Sequence, residues 1–186
     1  RSSEDRMPYK VYVESEELNV HTSATIDYGF VAKQVGDLVA KHNVISLTVD
    51  PSFVASFIDA CADIGLAVWL YEGPDEMVGD GLKIVRHSQG TKVSFQERNL
   101  CMPHSITRFT DKVLLREVLI ESNRLTQVCA ANVVLKTDAI GNQMFDKGRQ
   151  RGRMDGMIAM AMGIGASAAQ EDTGMDDFLN SEVIAG

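Results

Sequence analysis

The sequence predicts an α/β domain with helices covering a sheet of short strands. Three observations carry that reading. Two short apolar runs rich in β-branched or aromatic residues, VISLTV at 44–49 and LAVWLY at 66–71, have the length and composition of buried strands. The segments before each run repeat apolar residues every three to four positions, as helices do. Strands joined through helices favour parallel neighbours and a covered sheet. At 186 residues, 45% of them hydrophobic, the chain is long enough for one such core.

Taken in order, residues 1–8 are polar and read as loop. Lys10–Glu14 and Glu17–His21 alternate apolar with polar residues around Ser15-Glu16, which predicts a β-hairpin. Asp27 is placed to cap a helix whose inward face is Phe30, Val31, Val35, Leu38 and Val39. The run 44–49 forms a strand ended by Asp50-Pro51. A helix over Ser52–Ile64 then carries Phe53, Phe57, Cys61 and Ile64 on one face and stops at Gly65. After the strand 66–71, glycines and a proline mark a loop, and Leu82–Arg86 reads as a further short strand.

His104–Glu121 predicts a helix with Ile106, Phe109, Val113 and Leu114 inward, and Leu125–Leu135 another. Asp138–Asp146 holds Gly141-Asn142 and reads as turn. A final apolar helix starts at Asp155. Residues 170–186, acidic and small, are expected to be a flexible tail beyond a domain of residues 1–169.

Composition removes several function classes. No apolar run reaches the roughly 18 residues needed to span a bilayer, and no signal peptide opens the chain. The sequence begins at Arg1, as a fragment or processed product would. Three widely spaced cysteines, Cys61, Cys101 and Cys129, suit free buried thiols better than disulfides or a zinc site. There is no phosphate-binding P-loop and no nucleophile elbow, and the four histidines form no constellation. A net charge of -8 argues against a general coat for nucleic acid, although a local basic patch can still hold phosphate.

The chemistry that remains is carboxylate and cation. Asp50 ends a strand, where open α/β sheets place their functional groups. Asp155 opens the last helix, behind a basic run of Lys147, Arg149, Arg151 and Arg153. Two acids on neighbouring elements can hold hard divalent cations, which take a few carboxylate oxygens and complete their shell with water and phosphate. The cations of the run can neutralise phosphates of a bound strand. Each residue also has a plain structural reading. Asp-Pro starts turns, an acid at a helix start is favoured by the macrodipole, and a basic run is commonly a solvated loop. Asp138 is a weaker third acid, placed for an ordinary turn.

The order of short motifs adds to this. D-R-M-P-Y, T-I-D-Y before a helix, V-D-P-S-F ending a strand, Gln89-Gly90, Ala131-Asn132, D-x-x-G-N at 138–142, Lys147 and R-M-D-G-M-I-A-M-A-M follow one another along the chain. In that order they resemble the C-terminal nuclease domain of the large terminase subunit of tailed bacteriophages or prophages, over nearly the whole chain to about residue 169.

The resemblance implies an RNase H-like fold with a mixed central sheet flanked by helices. It implies an endonuclease dependent on Mg²⁺ or Mn²⁺ that cuts concatemeric double-stranded DNA during genome packaging in the host bacterial cytoplasm. Asp50 and Asp155 would be acids of the two-metal cluster. Partners would be the small terminase subunit, the portal protein and an ATPase domain of the same parent chain. The family's first strand, with an acid in a D-x-S-x-x-x-D-L context, has no counterpart here, so the resemblance implies a domain without one of its ligands. The other reading is a non-catalytic module that docks the portal or small subunit on the same scaffold.

Overall fold

The computed structural model describes residues 7–73, 78–90, 100–149 and 152–183. In chain order these form α1 (Tyr9–Glu14), α2 (Tyr28–Lys41), β1 (Ser46–Val49), α3 (Val54–Asp63), β2 (Val68–Leu70), β3 (Leu82–Arg86), α4 (Met102–Leu114), α5 (Arg124–Ala131), β4 (Leu135–Thr137), β5 (Gln143–Phe145) and α6 (Asp155–Val183). The α/β class read from the sequence is the class observed.

The sheet explains why the helices sit where they do. Its strands run β1-β3-β2, all parallel. The central strand is β3, which the sequence marked least clearly. Leu82, Ile84 and Val85 are all buried, because a central parallel strand is covered on both faces. Ile84 joins Ala32 of α2 and Phe57, Ala60 and Cys61 of α3 on one face. Val85 joins Tyr71, Leu100, and Ala166 and Ala169 of α6 on the other. Burying a side chain of this size contributes roughly 1.5–3 kcal/mol each, and the alternation along β3 is what ties both helical layers to one sheet. The run at 44–49 becomes β1, an edge strand that is half-buried throughout, not a fully buried one.

A third apolar cluster joins α4 to α6, through Met102, Ile106, Met154, Ile158, Ala161 and Met162. A close approach of α6 to α4 makes it possible. Gly165 lies so near α4 that a Cβ there would stand 2.2 Å from Ser105 Oγ and 2.6 Å from its Cα. Gly81, at φ +88°, would meet the Ala67 carbonyl oxygen at 2.1 Å, which sets the entry to β3. Only glycine satisfies such positions.

Several sequence expectations are corrected. The predicted hairpin at 10–21 is instead one and a half turns of helix, α1, that buries Tyr12 and leaves Val11 and Val13 on the surface. Glu16, at φ 60°, turns the chain, and the Glu17 and Leu18 amides both donate to the Tyr12 carbonyl. A lone two-stranded hairpin has little to stabilise it, whereas Tyr12 anchors the helical turn. Phe53 does not face the core: it precedes α3 in a left-handed conformation, φ 64°, and is 70% exposed. The helix from 104 stops at Leu114, because Arg116 adopts φ 60°, and Val113 and Leu114 face solvent. The helix from 125 ends at Ala131, and the turn expected at 138–146 joins an antiparallel pair, β4-β5, whose second strand takes up Gln143–Phe145. The described strands of the central sheet are parallel rather than mixed; the antiparallel pair is separate. Helix α6 runs from Asp155 to Val183.

Candidate functional site: two acids at element ends

Asp50 directly follows β1, at the carboxyl edge of the sheet. Its Oδ1 accepts a hydrogen bond from the Ser52 amide at 2.8 Å, the turn that an Asp-Pro step favours. The neighbouring strand continues at the same edge. Register pairs Val49 with Arg86, and the His87 amide donates to the Val49 carbonyl at 2.8 Å. Asp50 is half-buried and lines an apolar recess of about 310 Å³ with Tyr28, Ser52 and Phe53.

His87 lies beneath this edge with no solvent exposure. Its Nε2 meets Ser105 Oγ at 2.7 Å, and its Nδ1 has no hydrogen-bond partner among the described residues. Burial pushes the imidazole down to about 4, against the pull of the nearby Asp50 carboxylate. His87 is therefore neutral at physiological pH and holds β3 to α4. Sequence spacing gave no sign of this pair, whose members stand 18 residues apart.

Asp155 is the first residue of α6. The Met157 and Ile158 amides bond to the Met154 carbonyl, so the helix starts where the sequence placed it. The loop before it is fixed by Asn132, which donates from Nδ2 to the Arg153 carbonyl at 3.2 Å and packs against Gly152. Asp155 is exposed and lines a cavity of about 750 Å³ with Glu17, Asn123, Cys129 and Arg153. Glu17 is already engaged, accepting from the Leu125 amide at 2.7 Å at the start of α5. Burial raises the Cys129 thiol, consistent with an inert core cysteine.

The two acids come from different elements. Asp50 ends β1, while Ala159, Gly163 and Ser167 of α6 line a groove with Ser46, Leu47 and Thr48. Asp155 sits about one turn before Ala159. The two carboxylates open onto separate recesses. No cluster of three or more His, Cys, Asp or Glu side chains able to hold a metal occurs among the described residues. The donor chemistry still fits Mg²⁺ or Mn²⁺ in kind, because such ions accept one or two protein carboxylates and fill the rest of their shell with water and phosphate.

Asp138 is placed differently. Its Oδ1 accepts from the Ile140 and Asn142 amides at 3.0 and 2.9 Å, and its Oδ2 from Asn142 Nδ2 at 2.9 Å. These bonds, the Asn142 side chain first, hold its carboxyl below the usual range and commit both oxygens to the β4-β5 turn.

The basic run is divided. Lys147 is exposed and donates to Gln89 Oε1 at 2.7 Å. Arg149 faces Asp146 at 3.7 Å. Arg153 lines the Asp155 cavity, and Arg151 lies outside the described residues. Gln89 and Asn132, both within the short motifs, carry contacts that no spacing rule announced.

No family model matches the sequence. Over 182 residues, 96% of this chain, it is 29% identical to the terminase large subunit of Enterobacteria phage HK97. The crystal structure of the HK97 bacteriophage large terminase matches 89% of the chain with a TM-score of 0.72 and 28% identity. The chain spans 32% of the length of the first and 30% of the second. It is thus similar to about a third of the HK97 terminase large subunit, in line with the resemblance in motif order. No helix among the described residues is long and apolar enough to cross a membrane.

Proposed function

We propose that this chain is the nuclease part of a DNA-packaging terminase large subunit, hydrolysing phosphodiester bonds of double-stranded DNA with Mg²⁺ or Mn²⁺. The observation that carries the reading is the likeness in sequence and structure to the HK97 protein across nearly the whole chain. Two acids placed at a strand end and a helix start support it.

Asp50 and Asp155 are the residues that would hold the ions, which when bound supply an activated water and neutralise the leaving oxygen. The chain's own contribution is placement. The Ser52 amide fixes the Asp50 carboxylate at the sheet edge, and the His87–Ser105 pair holds that edge against α4. Asn132 and Gly152 fix the approach to Asp155. Lys147, Arg149, Arg151 and Arg153 attract the DNA backbone, in a chain whose overall charge would otherwise repel it. In the parent protein, acting in the host bacterial cytoplasm, the partners of this region are an ATPase domain, the small subunit and the portal.

The opening of the two acids onto separate recesses favours a second reading, a non-catalytic module that docks portal or small subunit. Supercoiled plasmid incubated with the chain and Mn²⁺ separates the two. The nuclease reading predicts relaxed and linear products that chelation abolishes, and that Asp155→Ala or Asp50→Ala reduces at least a hundredfold. Intact plasmid under all conditions leaves the docking module.

A further inference from the structure

Lys147 of the basic run makes a side-chain contact with the loop at the sheet's carboxyl edge, where a glutamine holds it. Gln89 lies two residues beyond His87, which continues β3 beside Asp50. The same loop is braced from within, because Ser88 Oγ accepts from the Gly90 amide at 3.0 Å and the Ser88 amide donates to the Leu100 carbonyl at 3.0 Å. The Lys147 end is braced too, as the Asp146 amide donates to the Val134 carbonyl at 2.7 Å and Asp146 Oδ1 accepts from Gly148. Two fixed loops, 58 residues apart in sequence, thus meet through one hydrogen bond.

We propose that Gln89 is a positioning residue that aims the Lys147 ammonium at the DNA phosphate entering beside Asp50. This rests on the nuclease reading and deepens it. A free lysine stem samples many rotamers, and ordering it on binding costs free energy. An amide oxygen accepts one ammonium proton and leaves two donors for phosphate, without the charge cancellation that a carboxylate partner would bring. Asp50 would repel an incoming phosphate; a cation held at the same edge offsets that repulsion where DNA must approach the acid.

The test is a double-mutant cycle on binding of a short fluorescent duplex in chelator, where no cutting occurs, with each variant's thermal unfolding checked. Lys147→Ala is expected to weaken binding roughly tenfold at low salt and to lower the salt slope by about one. Gln89→Ala is expected to weaken it about threefold, through looser placement of the same charge. The double variant is expected to bind no worse than Lys147→Ala, since Gln89 acts through Lys147. Effects that multiply, or variants that bind like the parent, overturn the proposal while leaving the nuclease reading standing. A parent chain that binds no duplex fails that reading and this proposal with it.

Discussion

Replacing Gly165 with alanine sets two effects of opposite sign against each other. Gly165 lies within α6, where alanine is the better helix former by about 1 kcal/mol. A Cβ at this position would stand 2.2 Å from Ser105 Oγ, 2.4 Å from its Cβ and 2.6 Å from its Cα. Rotating the Ser105 hydroxyl relieves only the first overlap, so α4 and α6 must separate. Overpacking of that kind costs about 1–3 kcal/mol and more where backbone moves. Separation also stretches the buried His87–Ser105 bond of 2.7 Å, and a buried polar group left unpaired costs about 1–3 kcal/mol. The costs exceed the propensity gain, giving a net loss of about 2–4 kcal/mol. For a domain of this size that lowers Tm by roughly 5–15 °C. Gly163 is the control, since a Cβ there meets nothing within 4 Å; Gly163→Ala should raise stability by up to about 1 kcal/mol. Urea unfolding followed by circular dichroism measures both. If Gly165→Ala stabilises the chain as Gly163→Ala does, the account of how α4 meets the sheet layer is wrong.

Other outcomes follow from the same contacts. His87 titrates near 6.5 when unfolded and at about 4 when folded. Between those values the unfolded chain binds a proton that the folded chain refuses, so stability falls as pH drops from about 6.5 to 4, by up to about 3 kcal/mol, and is level with respect to this group above that window. The urea midpoint against pH should show that slope in the parent and lose it in His87→Gln. Asp27 Oδ1 caps α2 by accepting from the Phe30 amide at 3.0 Å; Asp27→Ala should cost about 1 kcal/mol, read from the same urea curves. Asp138→Ala removes the acceptor for the Ile140 and Asn142 amides, and hydrogen exchange should accelerate at those two positions while α6 stays protected.

The sequence disclosed the fold class and the elements whose local signals agree with their packing. The cap at Asp27, the stop at Gly65 and the start at Asp155 were legible, because each uses a side chain or a glycine that acts on its own neighbours. Elements that depend on distant partners were not. The short β3 shows its importance only once helices cover both of its faces. The alternation at 10–14 mimics a strand, but Tyr12 finds its burial through a helical turn. Phe53 fits the spacing of an inward helical face, yet the turn at Asp50 leaves it outside the first helical residue.

The candidate site divides in the same way. Asp50 and Asp155 were visible as acids at element ends. That they open onto different recesses, that Asp138 is consumed by its own turn, and that Gln89 and Asn132 brace the loops around them are tertiary facts. Spacing along the chain carries no record of them.

The central claim is that Asp50 and Asp155 both take up divalent cation, and Mn²⁺ tests it through paramagnetic broadening of backbone amide signals. The account predicts that substoichiometric Mn²⁺ broadens the amides around Asp50 and around Asp155 first. It predicts that excess Mg²⁺ restores them, and that Asp155→Asn abolishes the effect at the start of α6. Broadening confined to other acidic surfaces, or none at either carboxylate, would contradict it.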